Sequence, residues 1–304
     1  MSSSSATLST APTSSPCDAG RARGPSRLVS AESVYDAVKS LLLKAAYQLS
    51  PKVKERLKIA SESEPSPRGR VILGSLLENA RLALETGRPL CQDTGLAHVW
   101  VEIGQEAYLF GEPLANAVSR AVKEAYTEGF LRKSTCHPLT RSNFGDNLPC
   151  LLETQIIPGA EVKVTVLAKG GGCDNKSALI NLPPTASRES LLEAIVAMVE
   201  KAGPDACPPF SMGLAVGGSF DSAPRLATKA LADLWEDPPM TSEEQSLALE
   251  VLDRVNALGL GPLGLGGRTT ALGCRVKLHP AHLASLPVAL SLNCHSFRTG
   301  RSII

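Results

Sequence analysis

Two apolar runs face each other across a Pro-Gly step: LLETQII, then Pro158 and Gly159, then EVKVTVL. In the second run Val162, Val164 and Val166 alternate with polar residues, the period of a strand that buries one face. Strand-forming runs on both sides of a turn dipeptide predict a hairpin. A sheet with one covered face must bury it against another layer, so what lies around the hairpin decides the fold class.

The flanking sequence supplies helices. Ser30 caps a predicted helix that carries Val34, Val38, Leu41, Leu42 and Ala45 at helical spacing. Ser50 and Pro51 open a second helix to about Ala60, and a third runs from near Arg70 to Thr86, where Gly87 stops it. HVWVEI reads as a strand and LANAVSRAVKEAYTEGF as a helix. Further on, SRESLLEAIVAMVEKAG is a helix, FSMGLAV a strand, and helices follow over 221–235 and 242–258. The fold class expected is mixed α/β (α+β), with a helical front part and a small mixed sheet packed with helices. One domain is expected over 29–304. Residues 1–28, rich in Ser, Thr, Ala and Pro, read as a disordered tail, with organellar targeting as the alternative.

Composition narrows the partners. The formal net charge of +1 over 304 residues leaves no basic footprint for nucleic acid. No apolar run approaches the roughly 18 residues a membrane span needs. The eight cysteines are scattered and form no C-x-x-C pair, so neither a disulfide scaffold nor a local zinc module is indicated. Reduced thiols in the cytoplasm are the expectation.

Three cysteines share a context. Cys91 opens CQDTG after a helix stop, Cys207 precedes Pro208 and Pro209 before a strand, and Cys294 ends an apolar run. At the end of an element a thiol can face a cleft without disturbing a core. Taken alone, each reads first as a small buried hydrophobe, the commoner fate of a free cysteine, with a three-thiolate iron–sulfur site as the alternative. Asp93 is either a turn residue or a proton-transfer group held beside Cys91. Gln92 and Arg132 can grip a carboxylate, or be a solvated amide and a helix-end cation. KGGGCDNKS lacks P-loop spacing and reads as a flexible turn or a small carboxylate site. His282, in HPAHLASLP, is a general acid–base candidate or a packed histidine.

In order, CQDTG, GFLRKS, GDNLP, KGGGCDNKSA, AGPDACPP, GLAVGGSFD, GLGPLGLGGRTTAL and HPAHLASLPVALSLNC resemble the α subunit of the iron–sulfur hydro-lyases. These are the class I fumarate hydratases and L(+)-tartrate dehydratases, and the resemblance covers roughly residues 30–298. It implies a [4Fe–4S] cluster held by Cys91, Cys207 and Cys294 at element ends facing a cleft. It implies Asp93, supported by His282, as the acid–base group, with Gln92, Arg132 and a backbone N–H near Gly171 on the substrate carboxylates. The reaction implied is reversible dehydration of a 2-hydroxy dicarboxylate. Malate to fumarate, a step of the tricarboxylic acid cycle, leads; tartrate to oxaloacetate, or a non-catalytic iron–sulfur scaffold, are the alternatives. A separate β subunit is expected to supply the carbon base, in an α2β2 assembly. Two departures stand out: Cys173 occupies a position where the family has Ser, and Gly273-Cys274 replaces a stretch that in relatives often contains Asp. Cys17, Cys136, Cys150 and Cys274 lie off the pattern and read as structural.

Overall fold

The computed structural model describes residues 26–236 and 239–304. The targeting and disorder readings of residues 1–25, and Cys17, lie outside the described residues. Residues 27 and 28, assigned to the tail, belong to β1 (Arg27–Ser30), which pairs in parallel with β3 (Ala107–Phe110).

The first sheet runs in the order β10 (Thr299–Ile303), β5 (Val162–Lys169), β2 (Leu96–Gly104), β4 (Leu151–Ile157). The hairpin predicted across Pro158 and Gly159 does not form, because β2 lies between its two arms. β2 is antiparallel to β5 and parallel to β4. The Pro-Gly loop instead arches over the end of β2: Gly104 and Glu106 donate their amides to Glu161 and Gly159. A Cβ at Gly104 would stand 2.4 Å from the Gly159 oxygen. Loop and strand alternation were legible locally; a third strand inserted from 50 residues earlier was not.

One face of this sheet carries Val99, Val101, Val162, Val164 and Val166 against α1 (Ala31–Tyr47) and α4 (Leu114–Glu128). The alternation of valines is thus realised as burial, each side chain contributing about 1.5–3 kcal/mol. Ser30 caps α1 by accepting the Ser33 amide, and Ser50 caps α2 (Pro51–Ser63) in the same way. The opposite face, with Trp100 and Leu167, packs on α2, α3 (Pro67–Thr86) and Trp235.

The second sheet has the order β6 (Ala178–Leu182), β9 (Leu286–Asn293), β7 (Phe210–Gly217), β8 (Ala271–His279). α6 (Arg188–Ala202) and α8 (Ser242–Ala257) cover one face. α7 (Ser222–Ala232) covers the other, between the sheets. Gly213 allows that approach, since a Cβ there would meet the Ala227 oxygen at 2.2 Å. No helix among the described residues is long and apolar enough to cross a membrane.

Candidate active site

Four strand ends meet at one end of the two sheets. CQDTG leads into β2, whose Leu96 pairs with Lys169 at the end of β5. The chain leaves β5 through Gly170 into α5 (Gly171–Asp174), a single turn. In the second sheet Cys207 precedes β7 and Cys294 follows β9, and Ser211 of β7 pairs with Asn293 of β9. Antiparallel pairing therefore brings two cysteines to the same end although their strands run in opposite directions.

The CQDTG turn is fixed from below. Tyr126 Oη lies 3.0 Å from the Thr94 carbonyl and 2.8 Å from that of Gly95, which also accepts from Asn147 Nδ2. Thr94 Oγ1 donates to the Arg132 carbonyl at 2.9 Å, tying GFLRKS to the turn. Asp93 accepts from the amides of Gly171 (2.8 Å) and Gly95 (3.2 Å). The Gly171 amide, expected on a substrate carboxylate, is thus spent on Asp93. The two lysines of KGGGCDNKS are spent as well. Lys169, fully buried, pairs with Asp174 at 2.8 Å, and Lys176 with Asp205 at 2.8 Å. The Gly-rich turn orients a carboxylate of the protein and is not itself a cationic cradle.

The three thiols share this end in graded exposure: Cys207 is exposed, Cys91 half-buried, Cys294 buried. Burial pushes the Cys207 thiol up, and the neighbouring Cys294, Cys91, Asp205 and Asp93 push it further. Cys207 itself is held at φ +52°, a left-handed conformation that a non-glycine residue adopts at a cost. Cys173, on α5, lies 3.2 Å from the Ala206 carbonyl and within hydrogen-bonding reach of Cys294. Its single proton serves one of them at a time. That contact comes first and favours Cys294 as thiolate; burial opposes it and the neighbouring His295 and Arg298 add to it, while Cys173 is held as thiol. Among the described residues no three His, Cys, Asp or Glu side chains converge on one metal ion.

Gln92 and Arg132 are exposed beside the turn. His282 is elsewhere. β9 begins at Leu286 beyond it and carries the chain to Asn293, so His282 and Cys294 sit at opposite ends of the sheet, about 25 Å apart at 3.3 Å per residue. Its Nδ1 accepts from the Ala284 amide in an exposed loop. Within one chain, His282 is not brought to Asp93.

One residue that the motifs did not flag belongs to this site. Among the described residues Arg298 is the largest fully buried side chain, and its Nε and Nη1 have no hydrogen-bond partner there. The local signal is weak: Arg298 stands four residues past Cys294 in HSFRTGR, which also carries His295 and a second arginine, Arg301.

A family model described as Fumarate hydratase (Fumerase) matches residues 35–302. A protein of Methanocaldococcus jannaschii, provisionally named L(+)-tartrate dehydratase subunit alpha, is 35% identical over 271 residues, 87% of this chain and 95% of its own length. The L(+)-tartrate dehydratase subunit alpha of Escherichia coli K12 is 27% identical over 256 residues, 83% of this chain and 84% of its own. The family match spans both sheets and every segment of the site, and the chain belongs to the fumarate hydratase (fumerase) family of hydro-lyases.

Proposed function

We propose that this chain is the α subunit of an iron–sulfur hydro-lyase that interconverts malate and fumarate, its active site completed by a separate β chain. The observation that carries the reading is Asp93, fixed by the amides of Gly95 and Gly171 at the strand ends where Cys91, Cys207 and Cys294 meet.

Those three cysteines would hold a [4Fe–4S] cluster. The donor set fits: thiolates are the usual cluster ligands, and each binds a different iron, so the three need not converge on a point. The buried guanidinium of Arg298, with Nε and Nη1 unpartnered, suits a negatively charged group nearby. When bound, the cluster supplies a Lewis-acidic iron that polarises the substrate hydroxyl. Asp93 hands a proton to the departing hydroxyl in dehydration and takes one from water in hydration. Its two backbone hydrogen bonds hold one carboxylate orientation through both directions. Gln92 and Arg132, exposed at the rim, bring an amide and a guanidinium fork to the substrate carboxylates. His282 supports Asp93 from a second copy, since its own Asp93 is a sheet length away; an α2β2 assembly supplies that copy. Removal of the carbon-bound proton falls to the β chain.

Tartrate is the second reading, favoured by the names of the relatives above. It differs from malate by one hydroxyl. The test is co-expression with the β chain, anaerobic reconstitution, and turnover of malate, fumarate and both tartrate enantiomers. A brown pair active on malate, with an inactive lone α chain, is expected. Turnover by α alone, or a colourless protein with stoichiometric zinc, would sink the reading; activity on tartrate alone would move it to the second substrate.

A further inference from the structure

Arg298 carries a full positive charge into the interior with two of its three guanidinium nitrogens unpartnered. The side chain is 2% exposed, and neither Nε nor Nη1 has a partner. Burying a charge with incomplete hydrogen bonding costs several kcal/mol in real proteins, so a guanidinium buried in this way points to a role for its charge at this site.

The position of the guanidinium narrows that role. The Arg298 carbonyl accepts the Ala168 amide, which fixes its backbone against the end of β5. Nη2 comes within 3.5 Å of the point where Gly170 would carry a Cβ, and Asp93 Oδ2 within 3.0 Å of the same point. Gly170 leads directly into α5, whose Cys173 neighbours Cys294, and Arg298 follows Cys294 by four residues. Arg298 and Cys294 are therefore both held at this one turn. A substrate entering from solvent does not reach Nε or Nη1, both of which are closed to water.

We infer that Arg298 is the counter-charge of the thiolate-bound cluster, a positioning residue that sets cluster stability and reduction potential and does not contact the substrate. The inference rests on the cluster reading above. Three thiolates around a [4Fe–4S] core leave net negative charge, and a guanidinium at close range in a low-dielectric site favours the added electron.

The test compares the co-expressed, anaerobically reconstituted α–β pair carrying wild-type Arg298, Arg298→Lys or Arg298→Met. Iron and sulfide per chain, the cluster midpoint potential, the rate of iron loss to a chelator, and the Tm of apo and loaded protein are measured. Arg298→Met is expected to leave the apo Tm unchanged or raised. Its cluster should be about tenfold less reduced at a given potential, a shift of 59 mV for one electron, and should lose iron faster. Arg298→Lys, which keeps the charge, should stay within about threefold of wild type. An Arg298→Met pair with wild-type potential and iron retention overturns the inference. So does a raised KM for the dicarboxylate with the potential unmoved, which would assign the guanidinium to substrate. A wild-type pair that assembles no cluster overturns the functional reading itself, and is told apart by its iron content.

Discussion

Gly95→Ala tests how the CQDTG turn holds Asp93. Gly95 sits at φ +80°, and a Cβ there would stand 2.6 Å from the carbonyl carbon and oxygen of Lys169. The left-handed backbone costs an L-residue about 1–2 kcal/mol. The clash is with backbone in a paired strand, which cannot swing aside, and forcing such a shift costs about 1–3 kcal/mol more. A loss of roughly 2–5 kcal/mol is expected, lowering Tm by about 3–8 °C for a chain of this size. The same substitution at Gly171 meets nothing closer than Asp93 Oδ2 at 3.8 Å, in the first turn of α5. There stability should hold, or rise by up to about 1 kcal/mol as the unfolded chain loses freedom. Gly170→Ala is intermediate: its Cβ would press Asp93 Oδ2 at 3.0 Å and Arg298 Nη2 at 3.5 Å. The fold should survive while the carboxylate moves by a few tenths of an ångström, reducing turnover by about 10- to 100-fold. Urea titration of the α chain and turnover of the α–β pair measure the series. The reasoning is refuted if Gly171→Ala is as damaging to stability as Gly95→Ala, or if Gly95→Ala lies within 1 kcal/mol of wild type.

Three shorter tests follow. Asp93→Asn should cut turnover by about 10²–10⁴-fold with little change in Tm, because one amide oxygen still accepts a backbone N–H; full turnover would remove Asp93 from acid–base chemistry. Glu64 is a buried carboxylate that accepts from Arg268 N (2.9 Å), Thr269 N (2.7 Å), Thr269 Oγ1 (2.6 Å) and Ser66 N (3.1 Å), joining the α2–α3 corner to the GLGGRTT loop. Glu64→Gln turns an acceptor into a donor facing these groups and should cost about 2–4 kcal/mol by urea midpoint; a loss below 1 kcal/mol contradicts the network's importance. Burial, then Lys169, lowers the His98 pKa to about 4, with Asp174 opposing. Unfolded His98 takes up its proton below about 6.5, so stability is full above that pH and declines toward 4, by about 2–3 kcal/mol from this residue. His98→Gln should flatten that slope, and an equal slope in both proteins would reject the assignment.

What the sequence made legible was local. Ser30, Ser50 and Ser187 mark helix starts because a cap needs only the amides three residues on, and each accepts such an amide here. Thr241 completes a capping box with Glu244. The alternation of Val162, Val164 and Val166 predicted a covered strand correctly. Its partner was misread, since pairing depends on β2, far away in sequence, outcompeting the adjacent run. β1 and β3 escaped notice for the same reason: each is four residues long, and their parallel pairing has no local turn to announce it. Cys91, Asp93, Cys207 and Cys294 were singled out through motif order, and the fold brings them to one end. Arg298 was missed because its distinguishing property is burial without a partner, which exists only in three dimensions.

The strand that delivers Cys294 also fixes where His282 can act. β9 is rigid and central, paired on both sides by β6 and β7, so no loop motion closes the 25 Å between its ends. His282 and its neighbour Leu283 stand exposed at the far end, the latter 92% exposed. If His282 supports an Asp93 at all, that Asp93 belongs to another α chain, and a two-fold pair would contain two such shared sites. Complementation decides it. Asp93→Asn and His282→Asn chains, each expressed alone with the β chain, should be nearly inactive. Co-expressed, half of the α pairs mix the two mutants, and each mixed pair carries one site with both Asp93 and His282 intact. Recovery to about a quarter of wild-type turnover is expected from that arrangement. Recovery within background, with mixed pairs verified by differential tags, would show that His282 does not act across the interface. The acid would then stand on Asp93 and its two glycine amides alone.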